Sequence, residues 1–155
     1  MIAITGAGEY FDIIRPYDEI LLNKLKDDPY VLCFPTAAGL ESEERIQYWL
    51  DLGDEHFAKL NVNHKSIRAL NVNDYNKPET LAEIEKANFV YFSGGNPNHL
   101  YETLSSSLAW EKLLTIHNSG GILAGCSAGA MIMGEKMNKG KGFGFFKNSM
   151  VLPHW

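Results

Sequence analysis

No apolar run in this 155-residue chain approaches the ~18–20 residues that a membrane span requires. The N-terminus, MIAITGAGEY, carries no basic region ahead of a long apolar stretch. A secretory leader is therefore not expected, and the segment reads as a first strand. Cysteine is scarce: Cys33 and Cys126 each sit in an apolar run. Two separated thiols of that kind point to a reducing, cytoplasmic compartment and away from a disulfide framework. Basic residues are in deficit, with 14 Lys and Arg against 19 Asp and Glu and a net charge of −5. That balance argues against non-specific nucleic-acid binding. Internal repeats and low-complexity linkers are also missing, so the length fits a single domain over residues 1–155.

What is present is an ordinary globular balance, 45% hydrophobic and 21% charged, arranged as short apolar runs alternating with amphipathic stretches. Strands are expected at Met1–Thr5, Tyr30–Pro35, Ser66–Leu70, Ala87–Phe92 and Gly121–Gly125. Helices are expected over Pro16–Lys26, Leu40–Leu60, Pro78–Lys86, Pro97–His117 (interrupted near Ser105-Ser106-Ser107) and Ser127–Met133. In Leu40–Leu60, Ile46, Trp49, Leu50, Phe57 and Leu60 recur at helical spacing, and Glu41, Glu43 and Glu44 load the first turn. Strands that are apolar on both faces, each followed by a helix, predict a three-layer α/β sandwich with a mostly parallel sheet and right-handed crossovers. Ligands bind such sheets at the carboxyl ends of the strands. Here those ends are Gly6-Ala7-Gly8, Thr36-Ala37-Ala38, Gly94-Gly95-Asn96 and Cys126-Ser127.

Gly125-Cys126-Ser127-Ala128-Gly129 fits the pattern G-x-S-x-G between a strand and a helix. Small residues two before and two after the serine let the backbone bend sharply and present the hydroxyl. Centred on Cys126, the same test finds Ala124 and Ala128, which do not relieve a turn with positive φ as glycine does. Cys126 then points into the packing as a small hydrophobe. A strand ending in glycine followed by a serine N-cap gives the same letters, so capping and nucleophilic roles are both open for Ser127.

A nucleophilic serine needs a base. Five histidines are available. His56 and His64 flank the end of a charged helix and read as solvated. His117 suits a helix C-terminus. His99 lies in the first turn after Gly94-Gly95-Asn96, facing the presumed site. His154 follows Met150-Val151-Leu152, a possible sixth strand delivering it to the same sheet edge.

Taken together, GCSAGA after a strand, SGGNPNHL some thirty residues earlier, FPTAAG after the second strand and LPHW after a Gly-Phe-rich stretch resemble peptidase family S51. That family includes dipeptidase E, an aspartyl dipeptidase, and cyanophycinase, and its fold resembles class I glutamine amidotransferases. The resemblance implies a serine-type peptidase acting on small peptides through an acyl-enzyme. It implies Ser127 as nucleophile, His154 as base, and the N–H groups of Gly95 and Ala128 as the oxyanion hole. By their position in the loop and first turn facing the site, Asn96 and His99 are candidate substrate contacts. No cofactor is implied: the cysteines are far apart and no His/Asp/Glu cluster has metal-ligand spacing. The expected partner is a small peptide, with no nucleic acid, no membrane and a possible homodimer.

Two features depart from the family pattern. Glu135 is the one carboxylate between Ser127 and His154, and it does not fall at the dipeptidase spacing. As the third catalytic member it requires the following loop to fold back. The alternatives are a Ser–His dyad or a carboxylate from elsewhere, such as Glu9. The chain also stops at Trp155, whereas family members continue, so the expectation is a domain lacking its C-terminal part. Two further readings stay open: a non-catalytic member of the fold that binds a ligand or partner, and an amidotransferase-like hydrolase using Cys126.

Overall fold

The computed structural model describes residues 1–154, and Trp155 of the LPHW motif lies outside them. Five strands form the central sheet: β1 (Ile2–Thr5), β2 (Tyr30–Phe34), β3 (Asn63–Ser66), β4 (Phe89–Phe92) and β5 (Ile122–Cys126). Their order is β1-β5-β4-β2-β3, and every pairing is parallel. Parallel neighbours need long crossovers. These are supplied by α1 (Arg15–Leu22), α2 (Glu43–Lys59), α3 (Val72–Tyr75), α4 (Pro78–Lys86), α5 (Pro97–Ser105) and α6 (Ala109–Asn118).

Side chains alternate across the sheet with the period of two that a strand imposes. Val31 and Cys33 of β2 join Phe89, Tyr91, Ile122 and Ala124 on one face, against Leu22 of α1 and Ile46, Trp49 and Phe57 of α2. Leu32 and Phe34 join Val90, Phe92 and Leu123 on the other, against Ile84, Leu100, Leu104 and Leu113. This is the three-layer α/β sandwich with a parallel sheet that the apolar runs predict. Local signals set where each helix begins. Ser42 caps α2 by accepting from Arg45 N–H, with Glu43 and Glu44 in the first turn. Asn96 caps α5, with Pro97 just inside it.

Three expectations change. Strand β3 is Asn63–Ser66 and not Ser66–Leu70; its polar sequence NHKS is recruited by register with Tyr30–Cys33 at the sheet edge, not by apolar pattern. Met150–Leu152 is not a sixth strand of the main sheet. Instead β6 (Gly134–Met137), β7 (Gly140–Lys141) and β8 (Phe146–Met150) form a separate three-stranded sheet. Aromatic packing anchors it: Phe143 stacks on Trp110 with centroids 3.5 Å apart and lies 4.7 Å from Tyr101, while Phe145 meets His117 at 5.1 Å. The chain leaving β8 then runs beside β1, where a Cβ on Gly6 would sit 3.4 Å from His154 N.

The third change concerns His56, which is buried, not solvated. Its Nε2 lies 2.8 Å from Oδ2 of Asp18, also buried, so the pair ties α2 to α1. Among the described residues no helix is long and apolar enough to cross a membrane.

Removing one partner of a buried pair strands the other, at a cost of about 3–5 kcal/mol. Asp18→Ala is expected to lower the unfolding free energy by about that much in urea titration. A loss below ~1 kcal/mol would show that the pair does not stabilise the α1–α2 layer.

Candidate active site

The turn leaving β5 leads into α7 (Ala128–Met131) and carries Ser127 at φ 50° and ψ −110°. Positive φ is unfavourable for a residue with a Cβ and costs about 1–3 kcal/mol. The surroundings leave the chain no alternative. A Cβ on Gly129 would overlap the carbonyl oxygen of Phe92, and one on Gly125 would overlap the backbone of Gly129. Glycine at both positions lets the first turn of α7 press against β4 and β5. Ser127 N–H donates to Thr5 O at 3.2 Å, fixing the turn to β1 as well.

Ser127 occupies the N-cap position of α7, yet its side chain makes no capping bond. Its Oγ lies 2.9 Å from His154 Nε2, the separation of a hydroxyl donating to an imidazole nitrogen. Ser127 is half-buried and His154 exposed. His154 itself has φ 63°. The residue brought to the serine is thus the histidine that the sequence places after the Gly-Phe-rich stretch.

The loop after β4 completes the surroundings. A Cβ on Gly94 would lie 3.4 Å from Ser127 Cβ and 3.7 Å from its Oγ, so this loop borders the hydroxyl directly. Gly95 has φ 140°, and a Cβ there would overlap Ala37. Among the described residues neither Gly95 N–H nor Ala128 N–H donates to a protein acceptor. Two unpaired amides beside a strained serine suit a developing oxyanion.

Asn96 and His99 are largely committed to structure. Asn96 Oδ1 accepts from the N–H groups of Asn98 and His99, and Asn96 N–H donates to Ala37 O at 2.7 Å. His99 Nε2 lies 2.8 Å from Leu70 O. Glu135, the expected third catalytic member, is not joined to His154. Its Oε2 accepts from Asn148 N–H at 2.6 Å and braces β6 against β8. Short polar strands linked by glycine-rich connections hide this small sheet from periodicity, which is why the spacing leaves open a loop folding back to the histidine. His154 forms no ion pair with an Asp or Glu among the described residues.

Cys126 is fully buried, and its Sγ–H donates to Glu9 Oε2 at 2.8 Å. Burial first, then the hydrogen bond to Glu9, pushes its thiol up to about 12. Glu9 is itself buried, with Oε1 accepting from Gly94 N–H at 3.0 Å. Its position in a Gly-Ala-Gly-Glu loop at a strand end is the signal that singles it out. No group of three or more His, Cys, Asp or Glu side chains among the described residues is arranged to hold a metal ion.

A parallel α/β sandwich whose strained strand-to-helix serine meets a histidine defines a nucleophile-elbow architecture. The particular family follows from the match of the peptidase family S51 model to residues 1–150: the chain belongs to that family. A crystal structure of a peptidase from an acI-B1 Actinobacterium superposes with a TM-score of 0.92 at 34% identity, covering 98% of this chain and 67% of that one. A candidate peptidase E of Listeria monocytogenes EGD-e gives a TM-score of 0.60 at 19% identity, covering 85% of this chain and 60% of that one, a likeness of fold. The chain thus spans roughly two thirds of the length of these structures. No curated protein matches it.

Gly129→Ala must displace either α7 or the end of β4, and overpacking of this kind costs about 1–3 kcal/mol or more. Chemical denaturation is expected to show that loss. Iodoacetamide at neutral pH is expected to leave Cys126 unmodified in the folded protein and to modify it in urea, read by peptide mass spectrometry. Rapid alkylation of the folded protein at Cys126 would contradict the buried, protonated thiol.

Proposed function

We propose that this chain is a serine-type peptidase that hydrolyses a peptide bond in small peptides, in the manner of dipeptidase E, through an acyl-enzyme. The observation that carries the reading is the 2.9 Å approach of Ser127 Oγ to His154 Nε2 on a turn held at positive φ. Membership of a peptidase family supports the reaction class.

In the proposed reaction Ser127 Oγ attacks the scissile carbonyl carbon as its proton passes to His154 Nε2. The oxygen of the tetrahedral intermediate is met by the N–H groups of Gly95 and Ala128. The C–N bond then breaks, the leaving amine takes the proton from Nε2, and an ester remains on Ser127. Water gives a proton to Nε2 and attacks that ester, releasing the carboxylic acid and restoring the hydroxyl. The base acts as a dyad partner, because Glu135 is bound to Asn148 N–H.

One observation favours a second reading, a non-catalytic member that binds a ligand or partner: His154 is exposed and forms no ion pair with an Asp or Glu side chain among the described residues. A fluorophosphonate probe separates the two. The catalytic reading expects a covalent adduct on Ser127 that disappears in Ser127→Ala. A folded chain that stays unlabelled would sink it. His154→Ala is expected to lower kcat by about 10²–10⁴, the usual contribution of a general base. Glu135→Gln keeps an oxygen for Asn148 N–H and is expected to hold kcat within about threefold, whereas a triad acid would lose several orders of magnitude.

A further inference from the structure

Glu9 is 5% exposed, and the proposed chemistry makes no use of its carboxyl group. Burying such a group is costly unless its oxygens are bonded. Both are: Oε1 accepts from Gly94 N–H at 3.0 Å and Oε2 from Cys126 Sγ–H at 2.8 Å. The two donors belong to the two halves of the candidate oxyanion hole. Gly94 precedes Gly95, and Cys126 precedes the Ser127-Ala128 turn.

The Gly94-Gly95 peptide joins two residues without side chains, and its backbone can rotate freely unless something holds it. A flipped peptide would aim a carbonyl oxygen, not an N–H, at the reacting carbonyl. Three successive amides decide the matter. Gly94 N–H is held by Glu9. Asn96 N–H is held by Ala37 O at 2.7 Å. Gly95 N–H, between them, is the unpaired one among the described residues. The peptide bearing it is therefore fastened on both sides, and Glu9 is the fastening on the serine side. By also bonding Cys126, the same carboxyl sets the height of this loop relative to the turn that carries Ala128 N–H.

We propose that Glu9 is a positioning residue that assembles the oxyanion hole, bridging the Gly94-Gly95 loop to the serine turn without touching substrate. The inference rests on the Ser127 reading above and adds to it a buried determinant of rate outside the Ser–His pair.

Glu9→Leu keeps bulk and removes the acceptor, while Glu9→Gln keeps an oxygen for Gly94 N–H. In the full chain, Glu9→Leu is expected to slow fluorophosphonate labelling of Ser127 by about 10²-fold, the scale of one lost hole donor. Peptide hydrolysis is expected to lose kcat on the same scale with KM within about twofold, as for an interaction made only in the transition state. Glu9→Gln is expected to restore both rates to within about threefold of the parent. A folded Glu9→Leu that labels at the parental rate overturns the proposal and leaves the peptidase reading standing. A parent that is folded and unlabelled overturns both. Amide hydrogen exchange of the parent decides the case without a variant, should Glu9→Leu not fold: Gly94 N–H is expected to exchange about 10²-fold or more slowly than Gly95 N–H. Equal exchange at the two glycines overturns the positioning role.

Discussion

The first turn of α7 approaches β4 so closely that a Cβ on Gly129 would overlap the carbonyl oxygen of Phe92. Much of the site follows from that approach. With the helix pressed against the sheet, the chain leaving β5 has no room for an ordinary connection and must pass through φ 50° at Ser127. The strain, on the order of 1–3 kcal/mol, persists because the strands beneath are buried on both faces and do not yield. Register does the rest. Thr5 pairs with Cys126, and Phe92 with Gly125, so the loops after β1 and β4 end level with the serine. Gly94 reaches Ser127 from one side and Thr5 O holds its N–H from the other.

The histidine comes by a different route. It is carried by a segment after a small second sheet, and that sheet is fastened to the main body by Trp110, Phe143 and Phe145. Ser127 thus sits on the buried core, while His154 sits on an exposed extension. Elements with few buried contacts open more readily than core strands. The segment that brings His154 to within 2.9 Å of Ser127 leaves from β8 of that aromatic-anchored sheet.

Glycine and apolar patterning made most of this legible. Strands buried on both faces announced a parallel sheet, and VLCF and FVYF appear where they were expected. The spacing Gly125-x-Ser127-x-Gly129 picked the serine over the neighbouring cysteine because close backbone approach leaves a mark in residue type. Where stabilisation comes from partners distant in sequence, no such mark exists. β3 is polar and is held by pairing with β2. The small β6–β8 sheet has short strands, glycines in its connections and a brace from Glu135 to Asn148 N–H. His56 looked solvated because its own helix is charged; the Asp18 that buries it lies on another.

Adjacent residues on a strand end face opposite ways, and this settles the chemistry of Cys126 and Ser127 more firmly than their intrinsic reactivities do. Thiol is the better nucleophile of the two in water, because a fraction of it ionises near neutral pH. Here the strand turns the thiol into the layer beneath the sheet end, where burial and Glu9 keep its proton in place. The hydroxyl, which needs a base to react at all, is turned outward to His154, 2.9 Å away. A single peptide step thus separates a buried, hydrogen-bond-donating thiol from a serine hydroxyl bonded to His154, and the carboxyl that holds the first also bonds the glycine loop facing the second.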